Sequence, residues 1–430
     1  MDKYFFDLAN QSLINSEYSK SSMRERADWL ARISQKIENH FEIFVQLERG
    51  DTGKCEDSTR DEVRAAIEIW RDAAALARTT RTEYFSSLGN GSWGYTQIDP
   101  IGIVGLIIPW NFPLIVTSER LPFMLAAGCA VLIKPSEYAR GSLSLLVEIC
   151  HEELPDPGIV QLVGDSIKDG EDLVLSGRVN LISFTGSTRT GSLILKAAAT
   201  NLTPVKLELG GKNSVVVESS RDLTHAATSI LSSSFANGGQ ACIQGSRIII
   251  KSTVYDEFIH ELPIALESYA SLHLEKCNHD FQQPQNYVQR QKIEKFKSLA
   301  KKEGLNYITT KNPTSGPRIY LDVPITSKLF SEEIFGGLIT VTKYETDTEL
   351  KNLISEGKYG LAMYIWSENE QFIRQTIRDS RAGRIWVNGA ESRAFGMMPV
   401  GGSGDSGYGR EMGSQAIWDY SNIKTVIRGK

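Results

Sequence analysis

The chain has 430 residues, 41% hydrophobic and 23% charged, with a net charge of −5; that length suits two or three domains and that composition a globular protein. It has neither a basic tract nor an acidic tail, so a nucleic-acid partner is not expected, and no apolar run is long enough to span a bilayer. The start is not that of a signal peptide, and the five cysteines and six histidines are scattered without zinc spacing or a disulfide framework, which predicts a cytoplasmic, metal-free protein.

Residues 1–83 read as helical. Ala27, Leu30, Ile33 and Ile37 recur at a helical period within 24–40, and 62–77 repeats the pattern. Residues 79–95 turn polar and glycine-rich, as an arm or connector. Continuous apolar runs follow at 101–108, 130–134, 160–163, 181–184 and 205–209, separated by helical stretches. Such runs predict parallel strands buried on both faces. A second series lies at 213–218, 247–251, 339–341, 362–366 and 385–387. The expected fold class is α/β: two doubly wound parallel-sheet domains joined near Gly210 and Gly211, plus a small β arm. Residues 276–291 are polar without periodicity and read as a surface loop. No internal repeat is visible.

Two literal GxGxxG matches, 89–94 and 402–407, lack the strand before and helix after that a dinucleotide fingerprint needs. Leu181-Ile182-Ser183-Phe184-Thr185-Gly186-Ser187-Thr188 has the better context, a strand entering a turn and then a helix; the turn either binds phosphate or caps the helix. Lys134 ends another strand with Glu137 three residues on, either reaching ribose hydroxyls or standing as solvated charges. Asn111, in Pro109-Trp110-Asn111-Phe112-Pro113, either donates to an oxyanion or closes an Asx turn.

Cys242 lies in Phe235-Ala236-Asn237-Gly238-Gly239-Gln240-Ala241-Cys242-Ile243-Gln244-Gly245-Ser246-Arg247, a run with no charge before its last residue. Upstream, Glu208 sits in Leu207-Glu208-Leu209-Gly210-Gly211-Lys212. A thiol and a carboxylate among small residues suggest a nucleophile and its general base. A buried core cysteine is the other reading of Cys242.

Together these motifs, with Glu332–Gly337 as EEIFGG and 399–411 as PVGGSGDSGYGRE, resemble the aldehyde dehydrogenase superfamily from about residue 20 to residue 426. The resemblance implies a homodimer or homotetramer acting on a small-molecule aldehyde. It implies a thiohemiacetal and then a thioester on Cys242, with the oxyanion held by Asn111 and the Cys242 N–H. Glu208 would activate water, which favours hydrolysis over transfer to coenzyme A. Lys134 and Glu137 would hold the adenosine ribose, and Glu137 would repel a 2′-phosphate, favouring NAD over NADP. Gly186 and Ser187 would meet the pyrophosphate, Trp110 would line the cleft, and Glu333 and Phe335 would flank the nicotinamide riboside. The NAD-binding domain would comprise 1–83 and 100–210, the catalytic domain 211–418, and the oligomerisation arm 84–99 and 419–430.

The chain departs from the family pattern in several places. A strand hairpin ahead of the first helix is missing, so an edge of the cofactor sheet is expected bare or differently covered. Asn422 stands where a second carboxylate is common, leaving Glu208 to work alone, and the C-terminal interface strand is shortened. Glu119 stands where relatives acting on acidic semialdehydes carry arginine. It favours a neutral or cationic aldehyde, or else it pairs with Arg120. Phe112, Ile115 and Val116 offer apolar walls, Val400 predicts a less aromatic mouth, and Arg393 is expected near the same tunnel. The rival readings are a non-catalytic relative that binds NAD or oligomerises, and a thiol acyltransferase without NAD. Against the latter, no histidine lies in the matched motifs.

Overall fold

A computed structural model describes residues 2–277, 279, 281–312, 316–389 and 396–429. Arg393 lies outside them. Helices occupy Lys3–Asn15, Glu17–Lys20, Met23–Asn39, Phe41–Thr52 and Glu56–Thr79, as the apolar spacing predicted. Ser22 and Glu25 close a capping box at the start of Met23–Asn39. Its stripe of Ala27, Leu30, Ile33 and Ile37 is buried in one apolar cluster with Val63, Ile67 and Trp70. Each of Leu30, Ile33 and Ile37 taken out of water contributes about 1.5–3 kcal/mol.

The polar segment that follows is a hairpin, Tyr84–Gly89 (β1) and Ser92–Pro100 (β2). Then come Ile103–Ile107 (β3), Ala130–Lys134 (β4), Val160–Leu162 (β5), Leu181–Thr185 (β6) and Val205–Glu208 (β7). These five are parallel in the order β5-β4-β3-β6-β7. Side chains alternate between faces: Ile103, Ile107 and Leu132 join a cluster with Phe6 and Ala9, whereas Val104, Leu106 and Val131 join the cluster of Trp70. The strand order reverses between β3 and β6, where an open α/β sheet leaves a crevice at the strands' C-terminal ends. The edge strand β5 is not bare. Helix Lys3–Asn15 packs on the sheet face over β3 and β4 and reaches β5 through Gln161 Nε2, which donates to the Phe5 carbonyl at 3.0 Å, while His151 Nε2 lies 2.7 Å from the Val160 carbonyl.

The second sheet takes Ser214–Val217 (β8), Arg247–Lys251 (β9), Tyr307–Thr309 (β10), Arg318–Tyr320 (β11) and Leu338–Tyr344 (β12). After the short Tyr359–Gly360 (β13) it adds Ala362–Trp366 (β14) and Arg384–Val387 (β15). The order is β10-β11-β12-β9-β8-β14-β15, parallel except at β10. Ser403–Gly404 (β16) pairs with β13, and Gly407–Tyr408 (β17) pairs antiparallel with β7, so this stretch straps the two sheets together. The GxGxxG match at 402–407 is this strap, and the match at 89–94 is the turn of the hairpin and the start of β2. Ser421–Arg428 (β18) pairs with β2 along its whole length, completing the arm.

Two expectations fail. Residues 276–291 are not a surface loop throughout. Helix Tyr287–Lys302 begins inside the window, with its apolar face at Ile293, Phe296 and Ala300 lying largely beyond it, and Gln282 and Gln289 are buried because their amides find partners. Cys55 and Cys277 form a disulfide, which spacing rules miss because folding joins positions 222 residues apart.

Candidate active site

The loop that carries Cys242 leaves helix Leu223–Ser234 through three successive left-handed residues, Asn237, Gly238 and Gly239 (φ 51°, 64° and 77°). Glycine is needed there: a Cβ on Gly239 would come within 2.4 Å of the Gly336 carbonyl oxygen. Side-chain amides then pin the loop. Asn213 Nδ2 donates to the carbonyls of Cys242 and Gln244, both at 2.8 Å, while its Oδ1 accepts from Ala362 N–H at 2.9 Å. Gln244 Nε2 donates to Ser234 and Gly336, and Gln282 Nε2 to Asn237 Oδ1. Each such bond contributes about 1 kcal/mol net, and together they hold the backbone that carries the thiol.

Asn111 is buried beside this loop. Its Nδ2 donates to the Gln240 carbonyl at 2.9 Å, and its own carbonyl accepts from Asn237 Nδ2 at 3.1 Å. An amide nitrogen carries two hydrogens, so one remains for a ligand. Phe112 follows, with Lys54 Nζ 4.4 Å from its ring centroid. Lys54 is itself buried between Glu48 and Glu62. Glu48 also accepts from Leu114 N–H at 3.1 Å and from Ser142 Oγ, which ties the asparagine turn to the N-terminal helices.

Glu208 ends β7. Its carbonyl accepts from Gly186 N–H at 3.0 Å, so the backbone that positions this carboxylate also holds the turn after β6. Burial pushes its carboxyl up to about 7; Arg120 opposes that shift, and the Glu411 and Glu119 carboxylates reinforce it. Arg120, fully buried, lies 3.0 Å from Glu119 Oε2 and 3.9 Å from Glu411 Oε1. Glu411 accepts from Tyr420 Oη at 2.5 Å, Ser183 Oγ at 3.2 Å and Lys206 Nζ at 3.3 Å. The Cys242 thiol is pushed up to about 12, first by burial and then by the Glu119 and Glu208 carboxylates. Those three groups therefore feel one another's charge. Asn422 is not among them; it lies exposed on β18 opposite Asp99. Glu411, which sequence reading passed over, is with Glu119 a carboxylate whose field reaches Glu208. Val400 is buried at the margin of the first apolar cluster, against which Ile115 and Val116 pack, and its backbone pairs with that of Glu411.

The sequence-predicted cofactor residues lie at or just after the ends of β3, β4 and β6 and on the segment before β12. Ser187 caps helix Thr188–Ala198, accepting from Thr190 N–H at 3.2 Å, and a Cβ on Gly186 would strike the Phe184 ring. Lys134 is half-buried at the end of β4, and burial lowers its pKa; Glu137 is exposed. Glu333 accepts from Gly211 N–H at 3.0 Å, and a Cβ on Gly210 would reach 2.3 Å from its carboxylate. Trp110 and Phe335 meet edge to face at 5.8 Å. Phe335 holds φ 63°, a costly backbone for a bulky residue, and Gln289 Nε2 clamps its carbonyl at 2.6 Å.

The aldehyde dehydrogenase family model matches residues 7–426. The chain belongs to that family. A betaine aldehyde dehydrogenase of Bacillus subtilis (strain 168) is 30% identical over 434 residues, spanning 98% of this chain and 88% of its own. An aminoaldehyde dehydrogenase of Zea mays is 32% identical over 426 residues, spanning 96% of this chain and 84% of its own. A betaine aldehyde dehydrogenase of Staphylococcus aureus, solved in complex with NAD+, superposes with a TM-score of 0.92 at 27% identity, covering 98% of this chain and 86% of that one.

In this aldehyde dehydrogenase the amide scaffold of Asn213, Gln244, Gln282 and Gln289 was not singled out from sequence. The only signal was the number of amides around the cysteine run. Asn213→Ala should lower kcat about 100-fold, since displacing a reacting group by about 1 Å costs that much. Steady-state kinetics beside a thermal melt checks this; an unchanged kcat in a folded variant would remove Asn213 from the argument.

Proposed function

We propose that this enzyme oxidises an aldehyde to its carboxylic acid with NAD, through an acyl group carried on Cys242 and released by Glu208. The observation that carries the reading is Glu208 itself: a carboxyl held near pKa 7 within electrostatic reach of a backbone-locked thiol. Such a group takes up and releases a proton at neutral pH. Its resting neighbour is a thiol rather than a thiolate, so the Cys242 proton passes to water as sulfur attacks the carbonyl carbon. The oxyanion then meets the spare Asn111 N–H and the Cys242 backbone N–H. Hydride acceptance is the chemistry the bound dinucleotide supplies, and a thioester on Cys242 is what remains. Glu208 deprotonates the water that cleaves this thioester, regenerating the thiol and releasing the acid.

Gly186, Ser187, Lys134, Glu137, Trp110, Glu333 and Phe335 would hold the dinucleotide. Two features fit it: a strand–turn–helix phosphate site and glycines against which a side chain would clash. The exposed Glu137 carboxylate disfavours a 2′-phosphate, hence NAD over NADP. No observation favours the non-catalytic alternative. Glu208→Gln should keep a first-turnover burst of reduced cofactor while the steady-state rate falls about 10²–10⁴-fold. In the parent enzyme kcat should rise with pH through about 7, because Glu208 is protonated below that value. A full steady-state rate in Glu208→Gln would overturn its role.

We also propose a neutral or cationic aldehyde as substrate. Glu119 pairs with Arg120, yet its charge still reaches Cys242, and curated relatives are named for betaine aldehyde and aminoaldehydes. Glu119→Gln should reduce the kcat/KM preference for a trimethylammonium aldehyde over a neutral one about tenfold, roughly 1.4 kcal/mol; an unchanged ratio counts against the assignment.

The same reading divides the chain into a cofactor domain (1–83 and 100–210), a catalytic domain (211–418) and an arm (84–99 and 419–430), in a cytoplasmic homodimer or homotetramer. No helix among the described residues is long and apolar enough to cross a membrane. The arm leaves Tyr84, Phe85, Leu88, Ile423 and Ile427 exposed, an apolar face suited to a second copy. Sedimentation should give a dimer or tetramer, shifted toward monomer by Ile427→Glu; a monomeric parent chain refutes this.

A further inference from the structure

Cys55 immediately precedes helix Glu56–Thr79, and Cys277 is the last residue of helix Ser252–Cys277. Their Cα atoms lie 5.3 Å apart. His273, one turn before Cys277 on the same helix, brings Nε2 to 3.3 Å from Cys55 Sγ. The other ring nitrogen, Nδ1, is 2.9 Å from the His279 carbonyl oxygen. An Nδ1–H donated to a backbone carbonyl, with Nε2 as the ligand atom, is how metal-binding histidines are commonly held. The two sulfurs and Nε2 all lie within 4.8 Å of one another. The His279 ring centroid is 4.9 Å from that of His273, and its buried Nδ1 has no hydrogen-bond partner among the described residues. A cavity of about 350 Å³ adjoins the cluster. Its three cations would repel a metal, but each is paired: Arg49 with Glu56, Lys54 with Glu48 and Glu62, and Lys276 with Asp57.

We propose that Cys55, Cys277 and His273 form a second site, separate from the Cys242 centre, for a thiophilic divalent cation, Zn2+ before all others. His279 or a water from the cavity takes the fourth position. The disulfide is the oxidised, metal-free form of this site. A dithiol reduces it, taking two electrons from its own sulfurs and giving two protons, so that one cyclic disulfide and two protein thiols result. Binding Zn2+ then releases both thiol protons. Two thiolates neutralise the dication, and the two-sulfur, one- or two-imidazole set is that of tetrahedral zinc.

The test uses the full chain carrying Cys242→Ala, so that the catalytic thiol cannot contribute. The protein is reduced with a phosphine, stripped with a chelator, and titrated with Co2+ and then with Zn2+ against a chromophoric chelator. Tight uptake of Zn2+ is expected, together with thiolate-to-cobalt charge-transfer and tetrahedral ligand-field bands. The oxidised chain should take up none. Cys55→Ser/Cys277→Ser should abolish the bands, and His273→Ala should weaken binding at least about tenfold. Equal affinity in the reduced and oxidised chains, or a cobalt spectrum without thiolate bands, overturns the proposal. Because that comparison needs no cysteine variant at the site, it decides the matter even if the substituted chains fail to fold. The outcome is independent of turnover at Cys242.

Discussion

Everything at the catalytic end of this molecule hangs on the side chain of Asn213. It stands just before β8, where one sheet hands the chain to the next, and it fills three hydrogen bonds at once: two to the cysteine loop and one from the start of β14. A loop with three left-handed residues has no regular ladder of its own, so its carbonyls must be satisfied from outside. Asparagine can donate twice and accept once in a single plane. An aspartate of the same shape could only accept, and would leave two buried carbonyls unpaired. The position of the thiol thus follows from the accounting of backbone polar groups.

The charges around Glu208 follow a similar logic. Glu119, Glu208 and Glu411 outnumber Arg120 and Lys206, and all lie where water is scarce. Desolvation and mutual repulsion lift one carboxyl toward neutrality. Arg120 opposes that rise, and Tyr420 and Ser183 hold Glu411 by hydrogen bonds. Arg120 Nη1 donates to the Val116 carbonyl at 2.8 Å and to Glu119 Oε2 at 3.0 Å, which holds in place the charge that opposes the shift at Glu208. Proton affinity is set by packing as much as by the catalytic residue's identity.

Much of this was legible in the chain. The strands at 130–134, 247–251 and 362–366 appear with the boundaries their apolar runs implied, because strands buried on both faces are apolar along their centres. The site motifs were legible because glycine, proline and a lone reactive thiol leave local marks. What escaped was non-local. Glu411 looked like the end of a glycine-rich tail, and only folding brings it to Arg120. Glutamines 282 and 289 looked like solvent-facing residues, and they are buried because carbonyls await them. Cys55 and Cys277 had no spacing to betray them.

The strap at β17 sets the order in which this protein can be made. The edge strand of the first sheet is contributed by Gly407 and Tyr408, paired to Leu207 and Glu208 some two hundred residues earlier, and the arm hairpin waits for Ser421–Arg428. On a ribosome the first sheet emerges long before its last strand does. The strand bearing Glu208 therefore spends most of synthesis with an open edge, and its completion is slow because the closing contact is distant in sequence. All strands of the second sheet, the last ending at Val387, are therefore synthesised before the first sheet receives its edge strand at Gly407.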